Sequence, residues 1–220
     1  MNTRIANFLS AVCHPLLMPT LLFGILLYFA PDVFMNLGNI SESSGIEVFG
    51  FSLSVKNGLL LLIFNFTFLI PSYFIYLLHR FNVVKSLKME SLLDRRIPFL
   101  VTTILYTLGT TFFALKMSQL PEISIIMIGV TLALAAVTVV SLYWQISAHA
   151  TGIGGVLGAL MSVLATHETD FLLWPMLVIL ILAGYLMSAR LYLNAHTPLQ
   201  ITAGLVLGFC LSAGVVVVFL

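Results

Sequence analysis

Charged residues are scarce in this 220-residue chain, where they make up 8% of the sequence as nine basic and eight acidic residues. The formal net charge is +1 and no block of like charges occurs, which argues against a nucleic-acid partner or a charged interaction tail. The only two cysteines, Cys13 and Cys210, fall within apolar runs, where a thiol usually packs as a hydrophobe. No small-x-small cleavage site follows the first apolar stretch, so we expect it to be a spanning helix and not a signal peptide.

Hydrophobic residues make up 60% of the chain, and the mean hydropathy of +1.13 is far above that of soluble domains. Windows of about 20 residues predict an all-α, polytopic transmembrane bundle of six to seven spans, as one integral membrane domain over 1–220 with a motif core at about 80–210. The predicted spans are 8–30, 58–79, 98–116, 123–144, 152–166, 172–190 and 199–219. The connection 31–56 is predicted to be a solvated loop or a short surface element.

Glycine spacing predicts where these helices approach one another closely. Gly154 and Gly158 are four residues apart, and so are Gly204 and Gly208. Gly184 and Ser188 repeat the same spacing. Small residues at this interval permit close helix contact in lipid, although plain packing explains them without any catalytic role.

Three short polar motifs lie at the ends of apolar segments and fall on one predicted membrane face. The loops 80–97, 145–151 and 191–198 are separated by two spans each, so a chain that crosses at every span returns all three to the same side. These motifs are Lys88 with Arg95, Ser147-Ala148-His149, and Arg190 with His196. Since a membrane protein retains few ionisable residues, they are functional candidates.

The chemistry of these residue types suits a phosphorylated lipid at a membrane surface. A phosphomonoester carries nearly two negative charges, and Lys88, Arg95 and Arg190 would neutralise them, arginine by bidentate contacts. Attack on phosphorus needs an unprotonated nucleophile, whereas release of an alkoxide needs a protonated donor, so two histidines can divide the work. Neighbouring guanidinium groups should lower the pKa of His196, while a bound dianion should favour protonated His149.

Taken together, Lys-x6-Arg, Ser-x-His and Arg-x5-His in this order resemble the type-2 phosphatidic acid phosphatase superfamily of lipid phosphatases, which is related to vanadium haloperoxidases. The resemblance covers Lys88 to Gln200, about half of the chain. It implies that the phosphate is held by Lys88, Arg95 and Arg190, with further donors from Ser147 and backbone amides. It also implies that His149 is the general acid and that His196 is the nucleophile.

Three positions depart from the family pattern. Proline usually follows the first arginine directly, whereas here Arg95 precedes Arg96, Ile97 and then Pro98, and Ala148 stands where the family has glycine. Four residues after His196, Gln200 replaces the family's aspartate. A glutamine oxygen can accept the ring N–H of His196 and fix its tautomer, but it supplies no charge.

Alternative interpretations remain open for each motif taken alone. Asp94 or Glu90 could supply the missing carboxylate, or form a loop ion pair with Arg95 or Lys85, and Arg96 and Asp94 are therefore possible members of the site. Basic residues in the loop could anchor a helix, and Arg190 could extend toward the membrane surface. Thr197-x-x-Gln200 matches a capping box. We assign no chemistry to the other histidines, which are His14, His79 and His167.

The sequence thus predicts a metal-independent lipid phosphatase that hydrolyses a phosphomonoester or pyrophosphate through a phosphohistidine at His196. We expect a phosphorylated lipid substrate and membrane lipids as partners, no nucleic acid, no cofactor and no metal, since the motif face lacks a carboxylate cluster. We expect a location in a bacterial inner membrane. The alternatives are a catalytically impaired protein that binds anionic lipid head groups and a lipid phosphotransferase. The lipid, the side that the site faces and the oligomeric state stay open.

Overall fold

Long apolar stretches form helices in this chain because a helix satisfies its backbone hydrogen bonds internally within a bilayer. The computed structural model describes residues 2–38, 46–48, 51–84, 92–167 and 169–220. Within these residues, seven helical spans are long and apolar enough to cross a membrane. The predicted all-α, polytopic membrane fold is confirmed, and the seven spans match the upper predicted number.

Helices make up most of the described residues. They are α1 (Thr3–Val12), α2 (Met18–Phe29), α3 (Val55–Phe64), α4 (Ile70–Arg80), α5 (Leu92–Lys116), α6 (Pro121–Val140), α7 (Ala148–His167), α8 (Leu173–Tyr192) and α9 (Pro198–Phe219). Short 3-10 turns lie at Pro15–Leu17, Pro31–Val33 and Asp170–Leu172. Within the predicted connection 31–56, β1 (Ile46–Val48) and β2 (Phe51–Leu53) pair as an antiparallel two-stranded element.

The first span is broken, whereas a continuous helix was predicted over 8–30. α1 ends at Val12, and a 3-10 turn at Pro15–Leu17 separates it from α2. His14 caps this turn by accepting a hydrogen bond from Leu16 N at Nδ1, 3.3 Å away. Pro15 causes the break because it has no N–H to donate and its ring clashes with the preceding helical turn.

The second span is interrupted by a π-helical turn, Asn65–Leu69, between α3 and α4. Pro71, two residues beyond this turn, cannot donate the backbone hydrogen bond that the Thr67 carbonyl would receive in an α-helix. The hydroxyl of Tyr106 on α5 donates to that carbonyl at 2.9 Å instead. A freed backbone acceptor is thereby satisfied by a neighbouring helix, as the apolar bilayer requires.

The centre of the bundle is α7, the most buried of the seven spans. The predicted span 152–166 was too short, because α7 begins at Ala148 and ends at His167. Its main partner is α9, and glycines allow the two backbones to approach closely. A Cβ atom at Gly158 would overlap the Phe209 carbonyl oxygen, and one at Gly208 would overlap the Thr151 carbonyl oxygen. The predicted close contact at Gly184 is wrong, since a Cβ atom there would meet nothing within 4 Å.

Hydroxyl groups connect α5 to α6 within the apolar bundle. The Thr103 and Thr138 hydroxyls are 2.7 Å apart, and those of Thr110 and Thr131 are 2.8 Å apart. Hydrogen bonds of this kind stabilise helix association in lipid. They fix α5, which carries Arg95, against α6, which leads into the loop before His149.

A stability measurement tests the contact between α7 and α9. We expect Gly158→Ala to lower the free energy of unfolding by about 1–3 kcal/mol, because the added methyl group meets backbone atoms that cannot yield. The matched control is Gly184→Ala, which we expect to be neutral or stabilising by up to about 1 kcal/mol. Thermal unfolding in detergent measures both variants. Equal midpoints for the two would contradict the proposed tight contact.

Candidate active site

The described parts of the three motif segments meet at one end of the bundle. The backbone N–H of Ser147 donates to the Gln200 carbonyl at 3.3 Å, which joins the starts of α7 and α9. Arg96 donates from Nη2 to the Leu142 carbonyl at 2.7 Å, which joins the start of α5 to the loop after α6. This convergence agrees with the common membrane face that span counting predicts.

His196 lies in the loop between α8 and α9 and is 8% exposed. Its Nδ1 is 3.2 Å from the Gln145 carbonyl oxygen and 3.3 Å from Gln200 Oε1. Because both partners are acceptors, Nδ1 carries the ring proton and Nε2 keeps its lone pair. Burial, together with the charges of Arg95 and Arg190, lowers the pKa of His196 to about 4 against the opposing effect of these hydrogen bonds. His196 is therefore neutral at physiological pH.

Gln200 combines the two roles that the sequence left open. Thr197 and Gln200 form a capping box at the start of α9, in which Gln200 Oε1 accepts from Thr197 N at 3.0 Å. The same oxygen faces His196 Nδ1. One side-chain carbonyl thus fixes the beginning of the helix and the tautomer of the imidazole.

Two guanidinium groups belong to the same cluster. Arg95, 7% exposed, lies in the first turn of α5, and Arg190 lies in the last turn of α8. They are close enough to interact electrostatically with each other and with His196. Arg190 Nε is buried and finds no hydrogen-bond acceptor among the described residues. A buried donor of this kind is costly unless a ligand satisfies it, so it points to an anion.

His149 and Ser147 lie at the start of α7. Ser147 is fully buried, and its Oγ accepts from Ala150 N at 3.4 Å, so it caps α7 while its own hydrogen stays available for donation. His149 Nε2 donates to the Ser10 carbonyl oxygen at 3.0 Å. The His149 ring interacts electrostatically with Arg190 and His196.

The remaining predicted residues contribute less to this geometry. Lys88 lies outside the described residues, as do Lys85 and Glu90. Arg96 is exposed, and its guanidinium contacts a loop carbonyl and not the cluster. Asp94 is half-buried in the first turn of α5 beside Arg95.

Two residues of the cluster were missed from the sequence. The hydroxyl of Ser10 accepts from Arg190 Nη1 at 3.4 Å, and nothing in the sequence around this serine indicates that contact. The His14 ring lies 6.1 Å from the His149 ring, centroid to centroid, in an edge-on arrangement. The signal for His14 was its place within an apolar span, where an ionisable residue is a functional candidate.

The donor set of the cluster consists of guanidinium, imidazole, hydroxyl and backbone N–H groups. Within the part of the chain that the structure describes, no group of three or more His, Cys, Asp and Glu side chains could hold a metal ion. Fixed cations and N–H donors at one membrane boundary suit a tetrahedral oxyanion. Fold and site together define an integral membrane protein with a cluster of cations, imidazoles and hydroxyls at one end of a helical bundle.

The comparison with protein families agrees with this geometry. The family model of the PAP2 superfamily matches residues 130–220, and this match confirms the predicted resemblance to the type-2 phosphatidic acid phosphatase superfamily. The matched segment contains His149, Arg190, His196 and Gln200, whereas Arg95 precedes it. No curated protein and no solved structure matches the chain. Similarity to this superfamily supports a phosphatase-type, hydrolytic function.

Proposed function

We propose that this protein removes a phosphate from a membrane lipid that carries a phosphomonoester or a pyrophosphate, through a phosphohistidine at His196. The observation that carries the proposal is the convergence of the buried Arg95, the half-buried Arg190 and two histidines at one end of the bundle. Phosphoryl transfer depends mainly on positioning and on neutralising the charge of the equatorial oxygens. Arg95 and Arg190 provide the positive charges for this, and the unpartnered Nε of Arg190 provides a donor for one of those oxygens.

The first step is attack by His196 on phosphorus. Nε2 holds the free lone pair because Nδ1 donates to Gln145 and Gln200. An N–P bond forms, and the bond from phosphorus to the lipid oxygen breaks. His149, which takes up a proton when the phosphate dianion binds beside it, gives that proton to the leaving oxygen. In the second step water attacks phosphorus and gives a proton to His149, the N–P bond breaks, and inorganic phosphate leaves a regenerated His196.

An apolar cavity beside the site supports a lipid substrate. It lies among α2, α5, α6, α7 and α9, and at one end it includes Pro15 and Ala148, the neighbours of His14 and His149. The lining continues into the bundle through Leu22, Val130 and Val156. A hydrocarbon chain entering this cavity would leave its phosphate at the polar end. We further propose a location in a bacterial inner membrane and metal-independent turnover.

The direct test is release of inorganic phosphate in detergent, with a chelator and without added metal. The substrates are phosphatidate, phosphatidylglycerophosphate and a prenyl pyrophosphate, with a water-soluble phosphomonoester as the comparison. We expect release from at least one lipid and much slower release from the soluble ester. Absence of release from all of them would contradict the proposed function.

A second candidate, head-group binding without turnover, is favoured by one observation, which is the glutamine at position 200. A neutral amide cannot stabilise a cationic imidazole as a carboxylate does. In that case anionic lipid would bind without phosphate release, and Gln200→Asp would leave this behaviour unchanged. Vesicle binding measured beside phosphate release separates the two candidates.

The pH dependence tests the role of the neutral His196. A nucleophile with a pKa of about 4 stays unprotonated above that pH. The acid limb of the kcat/KM profile therefore lies near pH 4 and not near the ordinary pKa of histidine. We expect Gln200→Glu to shift this limb to higher pH by about one unit or more, because a carboxylate beside Nδ1 stabilises the protonated ring.

Gln200→Glu keeps the side-chain length and the capping box, so the start of α9 is retained. The comparison of the two proteins also cancels the ionisation of the substrate itself, since both act on the same phosphoester. Profiles of kcat/KM from about pH 3 to 8 measure the shift. An acid limb at the same pH in both proteins would contradict the role of Gln200 beside His196.

A further inference from the structure

The end of α1 contacts two of the site residues through one serine. The Ser10 hydroxyl accepts from Arg190 Nη1 at 3.4 Å, and the Ser10 carbonyl accepts from His149 Nε2 at 3.0 Å. Ser10 is separated from these partners by 180 and 139 positions in the sequence. It also lies outside the residues matched by the family model, which begin at 130. The contacts of Ser10 with Arg190 and His149 therefore come from the first span, and no sequence motif indicates them.

The structure holds this end of α1 in place from two directions. α1 packs along α8, the helix that carries Arg190. Beyond Val12 the helix stops, and His14 places its ring edge-on against both His149 and Phe68, with centroid separations of 6.1 Å in each case. Phe68 belongs to the π-helical turn Asn65–Leu69. The broken first span and the interrupted second span thus pack together beside the site.

We propose that Ser10 is a positioning residue of the phosphate site, which holds Arg190 through its hydroxyl and His149 through its carbonyl. This inference rests on the proposed phosphatase function. The hydroxyl occupies one nitrogen of the guanidinium and thereby fixes the plane of the group. The remaining donors of Arg190, including the unpartnered Nε, are then directed to one anion.

The carbonyl contact has a consequence for proton transfer. His149 Nε2 donates to Ser10, so Nδ1 is the nitrogen left for the reaction. When the ring is cationic, both nitrogens carry protons, and the proton on Nδ1 passes to the leaving oxygen while the proton on Nε2 stays with Ser10. Afterwards Nδ1 is free to accept a proton from the attacking water. A main-chain carbonyl thus orients His149 as the side chain of Gln200 orients His196.

The test compares Ser10→Ala with Ser10→Thr, which retains a hydroxyl at the same position. We expect Ser10→Ala to raise KM and the inhibition constant of vanadate by about tenfold, with a smaller change in kcat, and we expect Ser10→Thr to restore most of the affinity. Ser124→Ala is the matched control, because the Ser124 hydroxyl bonds within the first turn of α6 at the opposite end of the bundle. We expect the control to behave as the wild type.

A double-mutant cycle separates positioning from a general loss of structure. In an Arg190→Lys background, we expect Ser10→Ala to add less than twofold to the vanadate inhibition constant, because the contact that it removes is already disrupted. Full additivity, or equal defects in Ser10→Ala and Ser10→Thr, would overturn the role of Ser10. If the wild type neither releases phosphate nor binds vanadate, the proposed function itself fails. If the wild type is active and Ser10→Ala matches it, only the inference on Ser10 fails.

Discussion

Replacement of His196 by alanine is expected to lower lipid phosphate release by at least about 10³-fold. His196 is the imidazole whose Nδ1 is held by two acceptors and whose Nε2 is unprotonated, so the variant loses the atom that we propose forms the N–P bond. The measurements are the initial rate of phosphate release and the amount of phosphate bound to the protein after a rapid acid-free quench. Both should fall together.

Two further variants show whether this loss is chemical or structural. His196→Asn keeps an N–H donor near the position of Nδ1, within reach of the Gln145 carbonyl, but it has no nucleophilic nitrogen, so we expect a folded and inactive protein. His167→Ala makes the same change as His196→Ala at the far end of α7, and it should retain activity. Phosphate release by His196→Asn at the wild-type rate would refute the phosphohistidine mechanism.

Arg190→Ala is expected to lower kcat/KM by about 10²–10³-fold, the effect typical of a lost donor to a developing charge. Arg190 interacts electrostatically with Arg95, His149 and His196, so it lies at the centre of the cluster. Arg190→Lys restores a positive charge without the planar fork, and we expect a partial loss. Vanadate inhibition should weaken in the same order as activity.

The control for this series is Arg80→Ala. Arg80 is exposed at the end of α4, on the same membrane face, and it carries the same charge. Activity in the control should stay within about twofold of the wild type, since an exposed charge is screened by salt. If Arg80→Ala and Arg190→Ala caused equal losses, the effect would reflect the charge of the whole face and not a specific anion site.

The membrane fold could be read from the sequence because bilayer spans have a length and composition that local sequence reveals. The interruptions of the first and second spans were not predicted. Pro15 and Pro71 were visible in the sequence. Whether a helix kinks, breaks or continues at a proline depends on the partners that satisfy the freed backbone groups. For Pro71 that partner is the Tyr106 hydroxyl on another helix.

Helix packing was predicted in part. The glycine pairs of α7 and α9 do lie at close backbone contacts, whereas Gly184, with the same spacing to a small residue, faces open space. Four-residue spacing places small residues on one helix face, but it does not say which face meets another helix. That choice is made by the arrangement of the whole bundle.

The sequence by itself determined the chemistry available at the site: two histidines, the arginines at positions 95 and 190, and a glutamine four residues after His196. It also determined the common membrane face, because the number of spans between two loops decides on which side each loop lies. Only the tertiary structure decided which nitrogen of each imidazole is protonated and which residues orient them. Ser10 and His14 reach the site through contacts between distant helices, and such contacts leave no local pattern in the sequence.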